Sequence, residues 1–213
     1  MRKGFTLVEL SIVLIIIGLI IGGVMKGKDM INSAKQKKFM TIFVKGWQVA
    51  ASGYEDRTGR VLGDGVVNGG TAAAGTAGAT DGLRENVDLS TTNSIQAALR
   101  AVGLDVPITN TGGGNGTVPD GGSYSIDGKY VSSTIVGNLN SQSINGVVRN
   151  VFYMTNVPTD VAMALDTMID GTQNAGLGDC RISAAANTAL TDNAATAWGN
   201  AQTTTLVNVT ILF

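Results

Sequence analysis

Apolar positions follow three regimes along the chain. From Phe5 to Met25 they are nearly continuous: only Thr6, Glu9 and Ser11 are polar in FTLVELSIVLIIIGLIIGGVM. From there to about Arg57 they recur every three or four residues, and Phe39, Phe43, Trp47, Ala50 and Tyr54 make a stripe one helical face wide. Beyond Gly59 the pattern breaks into short runs separated by Gly, Asp, Asn and Thr. The first two regimes predict one helix over 5–57. At 1.5 Å per residue it is roughly 80 Å long, so it must protrude from any domain this chain can build. Its first 21 residues reach roughly 31 Å, the hydrocarbon thickness of a bilayer. The aromatic stripe is expected to seat a head on the outer half. The pattern thus sets off 5–25 as an apolar half, 26–57 as an outer half and 58–213 as a globular head.

Within the head, Asp56 to Gly65 ends the helix with three glycines, and 63–82 reads as loop. Thr92 or Asn93 caps a short helix that runs through Val102 and stops at Gly103, with Ile95, Ala98, Leu99 and Val102 as its stripe. Gly112 to Gly122 is a second loop. Its glycines follow no strand and precede no Lys-Ser or Lys-Thr, so they do not make a phosphate cradle. Ser123–Ile126 and Lys129–Val136 flank Asp127-Gly128, a hairpin signal. Gly146 to Thr155 is the next strand, Pro158 to Asp170 a helix, and Cys180 to Ser183 a short strand. Thr205 to Phe213 alternates, with Val207, Val209, Ile211 and Phe213 on one side and Asn208 and Thr210 on the other, and is expected inside a sheet.

Composition narrows the function. No sequence period of 20–50 residues recurs, which argues against a solenoid. Residues 1–57 carry a net +5 and residues 58–213 a net −6. A basic stem under an acidic head is not the footprint of a nucleic-acid binder. The stem lysines read either as a solvated face or as attraction to anionic headgroups and acidic neighbours. There is no histidine, which removes Ser-His-Asp and Cys-His catalysis and the usual His-containing zinc sites. The sole Cys180 has no intrachain disulfide partner and is expected to be buried.

Glu9 is the anomaly. A carboxylate at membrane depth costs about 2.5–3.5 kcal/mol on insertion scales and calls for a partner or a purpose. A cleaved secretory signal has a shorter core, with a small-residue site after it. A plain anchor explains the length but not Glu9. A buried core helix does not fit so long an uncharged run. The fourth reading rests on Gly4-Phe5-Thr6-Leu7-Val8-Glu9 behind the basic tip Arg2-Lys3. This resembles the class III leader of type IV prepilins and pseudopilins, where a leader ends in Gly, Phe follows, and Glu is fifth in the mature chain. Two further stretches are similar to pseudopilin-type chains: Tyr54 with DRTGRVLGDG, in which Leu62 stands where a proline is common, and NVPTDVAMALDTMIDG.

The resemblance implies an α+β pilin-like fold, a long helix packed on an antiparallel sheet. It implies cleavage of residues 1–4 by a prepilin peptidase between Gly4 and Phe5, and N-methylation of Phe5. It also implies residence in a bacterial inner membrane with the head in the periplasm, and extraction by an assembly platform. The subunit would then polymerise with itself and with other pilins, Glu9 meeting a neighbour's N-terminal amine. The lysines after the span outnumber Arg2 and Lys3, so charge alone orients the span the other way; the leader motif overrides it. Lys26 stands where pilins often have proline. The function expected is a structural subunit of a type IV pilus-like filament, with a type II secretion pseudopilin as the alternative and a membrane-anchored enzyme as a remote one. No catalytic residue is identified. Asp166, Asp170 and Asp179, with Asn174, offer oxygen donors near a glycine-containing loop. They are the candidate set for calcium, which some major pseudopilins bind in a C-terminal loop, although the spacing matches no defined calcium loop.

Overall fold

A computed structural model describes residues 6–71, 80–91, 94–111, 121–200 and 204–213. The helix is there, running unbroken over Leu7–Thr58. It consists of α1 (Leu7–Phe39), a π-helical turn (Met40–Val44) and α2 (Lys45–Thr58). Residues four apart drift by roughly 40° around an α-helix, because 3.6 residues complete a turn. The π turn widens the local repeat and cancels that drift. Phe39, Phe43 and Trp47 therefore stay in line, and all three are fully buried. Ala50, Ala51 and Tyr54 continue the seam. Gly59, at φ +67°, takes the left-handed conformation that closes the last turn, its N–H donating to the Glu55 carbonyl.

The head is one antiparallel sheet. In chain order its strands are β1 (Val87–Asp88), β2 (Ser123–Asp127), β3 (Ser132–Ile144), β4 (Val147–Pro158), β5 (Cys180–Ile182) and β6 (Leu206–Leu212). The spatial order is β1-β3-β4-β6-β5, with β2 on the same edge of β3 as β1. The strand over Leu206–Leu212 lies inside the sheet, between β4 and β5, as its alternation requires. One row crosses five strands on the core face: Val87, Leu139, Phe152, Ile211 and Cys180, all buried. Cys180 is thus a core residue, and burial pushes its thiol well above the usual range, with Asp166, Asp170 and Asp179 adding to the shift.

The helix docks on this face through rings. Phe39 meets Phe43 and Tyr124 at 5.5 and 5.1 Å, Phe43 meets Phe152 at 5.5 Å, and Phe152 stacks on Phe213 at 5.7 Å. Trp47 donates its indole N–H to the Gly121 carbonyl at 2.7 Å. The guanidinium of Arg84 lies 4.7 Å over the Phe213 ring and pairs with Glu55 at 3.2 Å, tying α2 to β6.

Two short helices fill the connections, α3 (Ser94–Ala101) and α4 (Thr159–Asp170). Ile95 and Leu99 of α3 are fully buried, and Gly103 is left-handed at φ +72°. Its expected caps, Thr92 and Asn93, lie outside the described residues, as do most of the two glycine-rich loops.

Three differences from the sequence expectation have physical causes. The first hairpin does not turn tightly at Asp127-Gly128. Asp127 pairs with Ser132, leaving a four-residue loop in which the Gly128 N–H donates to the Val131 carbonyl. The strand after it runs on to Ile144, past Val136, and turns at Asn145-Gly146, where both residues have positive φ. Its polar residues hide it. Asn140, Gln142 and Thr210 point away from the helix, yet they too are buried, under the segment 183–192. Gln142 donates to Ser183 Oγ and to the Thr188 carbonyl and accepts from Thr210, while Asn140 donates to the Ala186 carbonyl. The sheet's second face is therefore covered by a strap held with hydrogen bonds, so alternation there marks two buried faces rather than one wet and one dry.

Candidate functional site

The helix leaves the hydrophobic core at about Phe39, keeps a few polar contacts with the head as far as Asp29, and is covered by none of the described residues over Leu7–Met25. Every residue from Leu7 to Met25 is exposed. Its mean hydropathy reaches 2.7, and it is the one helix among the described residues long and apolar enough to cross a membrane. Large side chains such as Leu7, Leu14, Ile15 and Leu19 are 62–87% exposed. Removing that area from water is worth about 25 cal/mol per Å², so the rod must be covered by lipid or by other protein. Around Gly18, Gly22, Gly23 and Gly27 no atom lies within 4 Å of where a Cβ would be.

Glu9 sits in the first turn of this rod, and the single chain supplies it with a partner that the sequence reading did not use. The Thr6 N–H and hydroxyl both donate to Glu9 Oε2 at 2.9 Å, and the Glu9 N–H donates back to Thr6 Oγ1 at 3.3 Å. This is a capping box, legible in the spacing Thr6-x-x-Glu9. Before any neighbour arrives, the carboxylate thus serves its own helix end. Gly4 and Phe5 lie outside the described residues.

Where rod meets head, charges fix the angle. Lys35 donates to Asp127 at 3.0 Å, Lys129 lies 3.8 Å from Asp29, and Gln36 donates to Asp160 at 3.5 Å. The Lys35 ammonium and the Ser132 hydroxyl hold the Asp127 carboxyl below its usual range. The two ion pairs are solvent-exposed and the Gln36 contact only part-buried, so they orient more than they stabilise.

Two of the acids named for calcium, Asp166 and Asp170, are engaged by hydrogen bonds within the fold. Asp166 is fully buried on the inner face of α4, where its Oδ2 accepts from the Trp198 indole N–H and the Asn174 N–H, both at 2.6 Å. Asp170 accepts from the N–H groups of Asp179 and Cys180 at 3.0 and 2.9 Å. Among the described residues, no group of three or more His, Cys, Asp or Glu side chains is placed to hold a metal.

Residues 1–25 match the family model for the prokaryotic N-terminal methylation motif. No curated protein and no solved structure is a match for the chain. The motif overlaps the segment Leu7–Met25 that the structure leaves bare: an apolar, membrane-length rod capped by Thr6 and joined to an α+β head. The chain carries the type IV pilin and pseudopilin signal at its N-terminus, on a long helix packed against an antiparallel sheet in the pilin-like manner.

Proposed function

We propose that the protein is a structural subunit of a type IV pilus-like filament. The carrying observation is the exposed rod Leu7–Met25 under a methylation motif, an element that needs lipid or other protein to cover it. In this reading a prepilin peptidase cuts between Gly4 and Phe5 on the cytoplasmic side and methylates Phe5. The subunit waits in the inner membrane with its head in the periplasm. An assembly platform then moves it into a fibre whose core is a bundle of these rods. Lipid and protein are equally apolar, so close packing and polar pairs select the lateral partners.

Glu9 is the assembly residue. In the fibre its carboxylate leaves the Thr6 cap, or shares itself with it, to meet the Phe5 amine of an adjacent subunit. A buried amine left without a partner costs several kcal/mol. Glu9→Ala is therefore expected to give a processed, membrane-resident subunit with filament yield reduced at least tenfold. Yield is read from sheared or secreted filaments, normalised to mature subunit in the membrane. Wild-type yield from Glu9→Ala returns the rod to a plain anchor.

A type II secretion pseudopilin is the second reading, supported by the Tyr54-to-Gly59 turn, in which Tyr54 is buried and Gly59 closes the helix. Surface fibres at native expression favour the first reading; short periplasmic polymers that support secretion favour the second.

A further inference from the structure

Below the head, one face of the stem is bare on the side turned away from its own sheet. Gly27, Met30, Ile31, Ala34 and Lys38 recur at three and four residues and so share that face. Met30 is 68% and Ile31 59% exposed. The opposite side holds Phe39 and Gln36, which contact the chain's own head. Two small residues beside two long apolar ones admit close approach. Lysines flank the strip, and Lys26, Lys28, Lys37 and Lys38 enter none of the four ion pairs among the described residues.

The head carries a complementary feature. A cleft of about 290 Å³ opens between the helix and the α4–β6 side of the sheet, lined by Met40, Val44, Met168, Ile169 and Leu212, with Asp179 at its rim. Its lining is mixed, the apolar side chains standing beside Lys45, Gln48 and Asp179, and Met168 is 38% exposed. The Lys45 ammonium, also at the cleft, is engaged by Gln48 at 2.7 Å. The Asp179 carboxylate is exposed and takes no hydrogen bond or ion pair among the described residues. The cleft thus offers apolar contacts on Met40, Val44, Met168 and Ile169 beside one exposed carboxylate, which a partner with long apolar side chains and a nearby cation would match.

We propose that this cleft receives the Met30–Ile31 face of a second copy's stem, with a flanking stem lysine against Asp179. The assignment rests on the filament reading and specifies one of its lateral contacts. Cleft and strip are different surfaces of one chain, so the contact is head-to-tail. Each copy that docks offers its own cleft to another, and such a contact propagates instead of closing.

Mixed filaments test it. Subunits bearing Ile31→Cys are co-expressed with subunits bearing Met168→Cys, both exposed positions, and the filaments are oxidised. The native Cys180 is buried and stays in place. A disulfide-linked dimer that appears only when both variants are present supports the interface. Filaments of normal yield with no dimer overturn it and leave the filament reading standing. If the unsubstituted chain forms no filaments, the filament reading fails first and the interface with it. A second variant, Asp179→Lys, is expected to lower filament yield several-fold at unchanged membrane levels of mature subunit; an unchanged yield overturns the role given to Asp179.

Discussion

Asp166 occupies a position that pattern reading assigns to solvent or to an ion. Its carboxylate is instead the inner anchor for the segment after α4, holding Asn174 and Trp198, while its Oδ1 has no hydrogen-bond partner among the described residues. Burial pushes its carboxyl up, and nearby Asp170 adds to that, against the lowering by Trp198 and Asn174. The folded state therefore holds this proton more tightly than the unfolded state. That contribution to stability is complete below the unfolded carboxyl range, about pH 4, and is lost as pH rises through the raised folded value. Asp166→Asn keeps an acceptor for both donors and removes the charge. It is expected to flatten this decline, so that the variant gains relative to the wild type between pH 5 and pH 8. Thermal melts at pH 5 and pH 8 check it; equal losses at both pH values would mean that Asp166 acts by shape alone.

The seam between helix and sheet closes because one strand position is empty. A Cβ on Gly137 of β3 would lie 2.7 Å from the Phe152 ring and 3.0 Å from that of Phe43. Both rings are fully buried and packed on further aromatics, so neither has room to yield. Glycine ordinarily weakens a strand, and here it is the condition for ring contact. Gly137→Ala is expected to destabilise the head by about 1–3 kcal/mol through overpacking, read as a lower denaturant midpoint. Gly22→Ala, with open space around it, is the control that leaves the midpoint in place.

For the whole molecule, the N-terminal motif sets the expected mature form. Mature protein is expected to begin at Phe5 with one added methyl group, and Gly4→Val to retain residues 1–4, because a branched side chain before the cut blocks the peptidase. Intact mass decides both. The rod, its aromatic stripe and this signal were legible because each is written in local spacing over consecutive residues. The continuation of β3 was not. Asn140 and Gln142 look like a wet loop until the segment 183–192 arrives to bond them, and that partner lies 40 or more residues away in sequence. The buried setting of Asp166 was not legible for the same reason: its partner Trp198 is 32 residues distant.

The two tryptophans give the molecule a pair of built-in optical reporters. Trp47 lies at the joint between rod and head with its N–H on the Gly121 carbonyl, and Trp198 lies in the segment after α4 with its N–H on a carboxylate. Replacing either one by Phe isolates the emission of the other. Light from Trp47 then reports whether the rod is seated, light from Trp198 whether the far side of the head is closed, and loading the subunit into a fibre can be followed at each place without attaching a dye.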